Sequence, residues 1–254
     1  MLENIPADEP QQIQHIVELT MQQLQRRYPG DKRVLRGVHA KAHGCVRATF
    51  EVLPDIDENL RQGVFAQPGK KYSALVRFSN AATLVTPDST PGANGGSPTQ
   101  GSRGMAIKLL GVEGPLVESA HGAPTQDFLM VNQPVFAFAN VEDYEVLSRV
   151  LVDHNDDPRP FFGERLPPTG TQPTTPSQMR AVETAGIVAS IRSANVTSNP
   201  PAFQPPPASP VDNDYFSASP FMLGPDQVMR FCVRPISHPP TSPMFPTPTT
   251  CEPP

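Results

Sequence analysis

Apolar and polar residues alternate with a period of two along several stretches of the chain, the pattern of half-buried strands. In "RGVHAKAHGCVRATFEV" (36–52), Val46, Ala48, Phe50 and Val52 point one way, and Arg47, Thr49 and Glu51 the other. Run backwards, the same strand puts Val38 on the apolar face and His39 on the opposite one, unless a bulge intervenes. "YSALVRFS" (72–79) sets Tyr72, Ala74, Val76 and Phe78 against Ser73, Leu75, Arg77 and Ser79. "RGMAIKLLG" (103–111) alternates Met105, Ile107 and Leu109 with Ala106 and Lys108, and "TQDFLMVNQPVFAF" (125–138) is an apolar extended stretch interrupted by Asn132 and Pro134.

Elsewhere the period lengthens to that of a helix. Residues 10–27 place Ile13, Ile16, Val17, Thr20 and Leu24 on one face before "RYPGD" stops the run. Residues 140–153 begin with Asn140 as N-cap and Asp143 three positions on, and Tyr144, Leu147, Val150 and Leu151 share a face. A further helix is predicted over 178–192. The loop "TPDSTPGANGGSPTQGS" (86–102), the linker "LPPTGTQPTTPS" and the polyproline run "NPPAFQPPPASP" separate these elements. One more strand is predicted around 228–233. The reading is an α+β chain: an antiparallel β-barrel-like sheet over roughly 34–136, flanked by helices near 10–27, 140–152 and 178–192. It divides into a barrel core with the N-terminal helix (1–165), a helix, linker and final strand of the same domain (166–234), and a disordered proline-rich tail (235–254).

Composition narrows the function classes. Net charge is −5 and the cations are scattered, which argues against a nucleic-acid surface. The three cysteines stand far apart without a CxxC pair, so neither a disulfide framework nor a structural zinc site is expected, and a reducing cytoplasm fits. No segment has the apolar length of a membrane span, and the acidic start "MLENIPADEP" is not a signal peptide. The chain has 33 prolines, concentrated in the last third, where they oppose helix and sheet interior.

The polar residues inside strands have two readings: a sheet curled around a ligand, or a sheet with one solvated face. His39 and His43, four apart, would chelate a metal on a helix, but on a strand that spacing is roughly 13 Å, and no metal is expected. His43 reads as a turn residue beside Gly44. No GxSxG elbow, phosphate-binding loop or dinucleotide fingerprint is present.

"RGVHAKAHGCVRATFEV" resembles the first barrel strand of haem catalases, whose signature runs Arg-x-Val-His-Ala-Lys-Gly. "VRFSN" (76–80), "RGMAIKL" (103–109) and "DFLMVNQPVF" (127–136) resemble the family's next segments, in the same order and at similar separations. The likeness covers about residues 30–160 and is greatest to the small catalase-related, peroxidase-like branch. It implies a haem cofactor and a peroxide substrate, with His39 as the distal acid–base residue and Asn132 as a distal amide donor. It implies cofactor contacts from Arg36 and Arg77 (propionate pairing), Val38, Ser79 and Phe136. Val38 stands where allene oxide synthases have threonine, which disfavours a lipid-hydroperoxide role. Arg103 and Lys108 match motif positions but read as structural.

The family's iron is held by a tyrosinate in an Arg-x-x-x-Tyr arrangement on a later helix. None of Tyr28, Tyr72, Tyr144 and Tyr215 has arginine four residues earlier. Should another ligand serve, Tyr215 is the first candidate. Two expectations follow: a haem-dependent catalase-like peroxidase acting on hydrogen peroxide or an organic peroxide, or a degenerate catalase-like domain that binds haem weakly or not at all. The first carries a small-molecule partner, no nucleic acid and no membrane span. An uncovered haem face would also favour homo-oligomers.

Overall fold

A computed structural model describes residues 5–30, 36–81, 89–90, 99–100, 102–114, 123–134, 136, 138–182 and 209–236. The elements are α1 (Glu9–Arg27), β1 (Ala42–Glu51), β2 (Lys71–Asn80), β3 (Ser89–Thr90), β4 (Thr99–Gln100), β5 (Arg103–Leu110), β6 (Thr125–Val131), α2 (Val141–Asp153), α3 (Arg159–Arg165), β7 (Tyr215–Ser217), β8 (Phe221–Leu223), β9 (Gln227–Met229) and β10 (Cys232–Val233). The chain divides into two interleaved compact units: 1–40, 82–99 and 135–205 in one, and 41–81, 100–134 and 206–254 in the other.

The first unit is helical. On α1 the buried seam runs through Leu19 and Gln23, and Ile13 and Val17 stay exposed. The expected apolar face is therefore rotated toward the C-terminal half, because a polar network fixes that end. Asp156 accepts from Arg27 Nε at 3.0 Å and Arg27 Nη2 at 2.8 Å, and from the Gln23 amide. Arg26 donates to the carbonyls of Val152 (2.6 Å) and Leu151 (3.1 Å), two of the acceptors that end α2 without intrahelical donors. The Asp156 N–H bonds the Leu151 carbonyl at 2.8 Å, with Asn155 at φ 53°, a Schellman closure using asparagine in the left-handed position. At its other end α2 is capped as expected, Asn140 accepting from the Asp143 N–H at 2.9 Å. The buried Asp143 also meets Arg165 of α3 at 3.1 Å. Phe138 then packs edge-on against Tyr144 and Phe161, at ring separations of 5.1 and 5.7 Å.

The second unit is a curled antiparallel sheet, a half-barrel of six strands in the order β1-β2-β5-β6-β7-β10. β8 pairs with β9 as a separate ladder. In β2 the alternation is as expected. Tyr72 and Ala74 are buried with Val52, Leu109, Phe128, Met130 and Tyr215. Phe50 stacks on Phe128 at 5.9 Å, and Phe231 meets the same ring edge-on at 5.1 Å. Arg77 and Ser79 lie on the opposite face by strand parity. Among the described residues no ladder joins β1 to β10, so the sheet does not close into a barrel there.

Three departures from the sequence reading have physical causes. The first strand begins at Ala42 rather than in the Arg36 region, because a bulge between Ala42 and Gly44 takes up His43 and a bend over 37–39 precedes it. The strand in 125–138 stops at Val131, where Asn132 turns its amide back onto Arg103. The final segment folds as four short strands, β7 to β10, not one. The helix predicted over 178–192 is helical over 176–182; its remainder, the polyproline run up to residue 208 and the tail from 237 lie outside the described residues. Cys45 is free and exposed, whereas Cys232 is disulfide-bonded to a partner outside the described residues, contrary to the expectation of unlinked thiols. Among the described residues no helix is long and apolar enough to cross a membrane.

Burial alone would raise the Asp156 carboxyl, but hydrogen bonds from Arg27 and Gln23 and the charges of Arg27 and Arg26 hold it below its usual 3.8. A depressed carboxyl stabilises the fold above its unfolded pKa and loses that contribution as pH falls through the folded value. Asp156→Ala removes the carboxylate from the half-buried Arg27 and should cost about 3 kcal/mol in denaturant melts at neutral pH. The gap to wild type should be flat from pH 7 down to pH 5 and shrink below about 3.8. A gap that grows in acid would contradict the assignment.

Candidate functional site

The sequence-derived site residues fall in both units. In the helical unit, Arg36 and Val38 are exposed and His39 is half-buried. Arg27 Nη1 donates to the Gly37 carbonyl at 3.0 Å, so the α1–α2 network also grips the segment two residues before His39. A side chain at Gly37 would meet Leu24 and Thr20 at 3.8 Å, ordinary contact, so the segment lies close along α1. His39 itself has φ 54°, in the left-handed region that non-glycine residues rarely occupy. Such a conformation costs on the order of 1 kcal/mol and persists where the surroundings hold it. Phe136, in the same unit, is half-buried and meets Phe138 edge-on at 4.7 Å.

In the sheet unit, Arg77 and Ser79 project from one face of β2. Across the ladders Arg77 stands opposite Cys45 and Ala106, and Ser79 opposite Ala42 and Gly104. This face is therefore shallow around both polar residues, because every directly paired neighbour is small. Ser79 is buried and Arg77 half-buried. Continuing onto β6, the face carries Leu129, which is 61 % exposed, and the buried Val131, which stands opposite Phe216 of β7.

Asn132 is 3 % exposed and is engaged at both ends of its amide. Its Oδ1 accepts from the Arg103 N–H at 2.7 Å, and its Nδ2 donates to Asn213 Oδ1 at 3.1 Å. Asn213 in turn donates to the Ser209 carbonyl at 2.7 Å. The amide thus ties the start of β5 to the approach to β7. Sequence reasoning missed this brace and a second one: the Asn80 side chain accepts from the Lys41 N–H at 3.0 Å, and the Asn80 N–H donates to the Lys41 carbonyl at 3.0 Å. The signal was available, since both asparagines end apolar strands where backbone pairing runs out. Lys108 pairs with Asp127 across β5–β6 at 2.7 Å, in agreement with a structural reading.

The four tyrosines test whether a tyrosinate-held haem fits. Tyr215 is 1 % exposed, and its hydroxyl donates to the Pro210 carbonyl at 2.6 Å. Burial pushes its phenol far up, and the opposing charge of Arg103 does not reverse this. An axial tyrosinate needs the ionised form, so Tyr215 is unsuited to the role for which it was the first candidate. Tyr72 donates to the Val64 carbonyl at 3.3 Å, and burial raises Tyr144. Tyr28 closes α1, with Leu24 in place of the family's arginine. The tyrosines are therefore not set up as the axial anion of a haem. His39 and His43 belong to no metal cluster, and among the described residues no group of three or more potential ligands gathers.

Comparison with protein-family models and with curated proteins gave no match.

Asn132→Ala should lower stability by about 2 kcal/mol, because it leaves the buried Arg103 N–H without its acceptor. Asn132→Asp, measured by the same thermal melts, keeps the acceptor but sets a buried carboxylate against Asn213 Oδ1 and should be at least as destabilised. A variant as stable as wild type would return Asn132 to a purely functional role.

Proposed function

We propose that the chain is a catalase-like domain carrying the peroxide side of a haem-dependent peroxidase site, acting on hydrogen peroxide or an organic peroxide. The observation that carries the reading is His39: a half-buried histidine held at φ 54° inside the segment that resembles the family's distal motif. Its imidazole is the group to take a proton from a bound peroxide and return it to the departing oxygen, which removes charge from the leaving group. Haem, when bound, would supply the redox chemistry of O–O cleavage. Arg77 would pair its guanidinium with a propionate, from a strand position whose directly paired neighbours are the small Cys45 and Ala106. Arg36, exposed, is suited to the same pairing. Val38, Ser79 and Phe136 are assigned to the cofactor's surroundings by the resemblance alone.

The second reading, a degenerate domain with weak or no haem binding, is favoured by the engagement of the Asn132 amide and by the suppressed ionisation of Tyr215. On either reading this chain by itself holds haem less firmly than a protein with a tyrosinate ligand.

Haem titration followed by visible absorption separates the two. A saturable Soret band with high-spin ferric features supports the peroxidase reading, and a spectrum equal to free haem supports the degenerate one. With haem bound, His39→Ala should keep the Soret band and lose roughly 10²–10⁴-fold in peroxide turnover. Arg77→Ala should weaken haem affinity instead. Equal loss of haem in both variants would overturn the assigned roles.

A further inference from the structure

The sheet ends at β1, and that edge is long. The Val52 N–H donates to the Lys70 carbonyl at 2.9 Å and its carbonyl accepts from Gly69 at 2.8 Å, so the even-numbered backbone groups after the bulge point toward β2. The N–H and C=O groups of Cys45, Arg47, Thr49 and Glu51 therefore point away from it. Cys45 to Thr49 are all exposed, Val46 is 52 % exposed, and among the described residues no strand pairs on that side. An exposed, unpaired edge of this length is a template for another strand.

Its sequence is complementary to itself. In "RATFE" (47–51) a cation and an anion stand symmetrically about Thr49, on the same face of the strand. We propose that this edge pairs antiparallel with the same edge of a second copy of the chain, about a two-fold axis at Thr49. Arg47 then lies opposite Glu51 of the second copy, twice, and Thr49 opposite Thr49, all as outward-bonding pairs. On the other face Val46 lies opposite the second copy's Val52, and Ala48 opposite its Phe50, so the apolar side of the sheet continues across the junction. Opposite charges and paired threonines directly across an antiparallel ladder are each favourable. Glu51 already meets Lys71 at 3.3 Å, but that pair is exposed and leaves the carboxylate accessible.

Sedimentation of the full chain over a concentration series tests the pairing. The wild type should pass from monomer to dimer. Thr49→Pro removes an outward N–H without touching the ladder to β2, a site where an edge strand tolerates proline, and should remain monomeric with an unchanged circular dichroism spectrum. Should that variant unfold, Arg47→Glu decides: it creates two like-charge pairs and should weaken association about tenfold, and adding Glu51→Arg should restore it. In a Cys45→Ser background, Thr49→Cys should cross-link copies under mild oxidation, since directly opposed hydrogen-bonded residues lie about 5.5 Å apart. Arg47→Cys should not, because the two copies of residue 47 are separated by more than about 13 Å. A wild type that is monomeric throughout leaves the edge to some other strand and overturns the proposal. A dimer indifferent to Thr49→Pro and to Arg47→Glu does so as well.

Discussion

The alternation of β2 constrains the sheet more than any single contact. This strand is paired on both sides, to β1 and to β5, so its register fixes the faces of three strands together. Tyr72 and Ala74 must enter the aromatic core with Phe128 and Leu109, because turning the strand by one residue would expose all of them. That requirement sends Arg77 and Ser79 to the other face. Their position is a consequence of the core and does not depend on any ligand. What distinguishes the face is the small size of its neighbours, Ala42, Cys45, Gly104 and Ala106, which the core does not dictate.

In the helical unit the corresponding constraint is the ion pair of Arg27 with Asp156. The guanidinium closes two parallel bonds on the carboxylate and still reaches the Gly37 carbonyl. One side chain therefore sets both the junction of α1 with the end of α2 and the path of the chain toward His39. The arrangement needs Asp156 at φ 68°, directly after another left-handed residue, and the pairing with Arg27 and Gln23 offsets that cost. The chemistry proposed for His39 therefore rests on a salt bridge well removed from it along the chain.

Strand positions and faces in β2 and β5, the start of β6, and the cap of α2 were legible from the sequence because each depends on local pattern or on one residue with its third neighbour. The N-terminal reach of β1 was not, since a bulge breaks the period at one residue and leaves the flanking pattern unchanged. The face of α1 was misread because its buried seam includes Gln23, polar by composition and buried only through Asp156, far along the chain. Asn132 shows the same limit. Its place at the end of an apolar strand was legible, but its bond to Asn213 joins residues that no local pattern connects. The roles proposed for these residues rest on resemblance, and their hydrogen bonds on the fold.

The bulge at His43 gives β1 a mechanical property. A regular strand is a rigid ruler: a slip of one residue at either end turns every side chain along it. At His43 the ladder already holds one residue more than its partner strand, so the count on the two sides is independent. Displacement of the segment bearing His39, whether by a ligand or by an insertion, can be absorbed there. Phe50 and Val52 keep their places in the core, and the segment before the bulge is free to vary without unpacking the part that holds the sheet together.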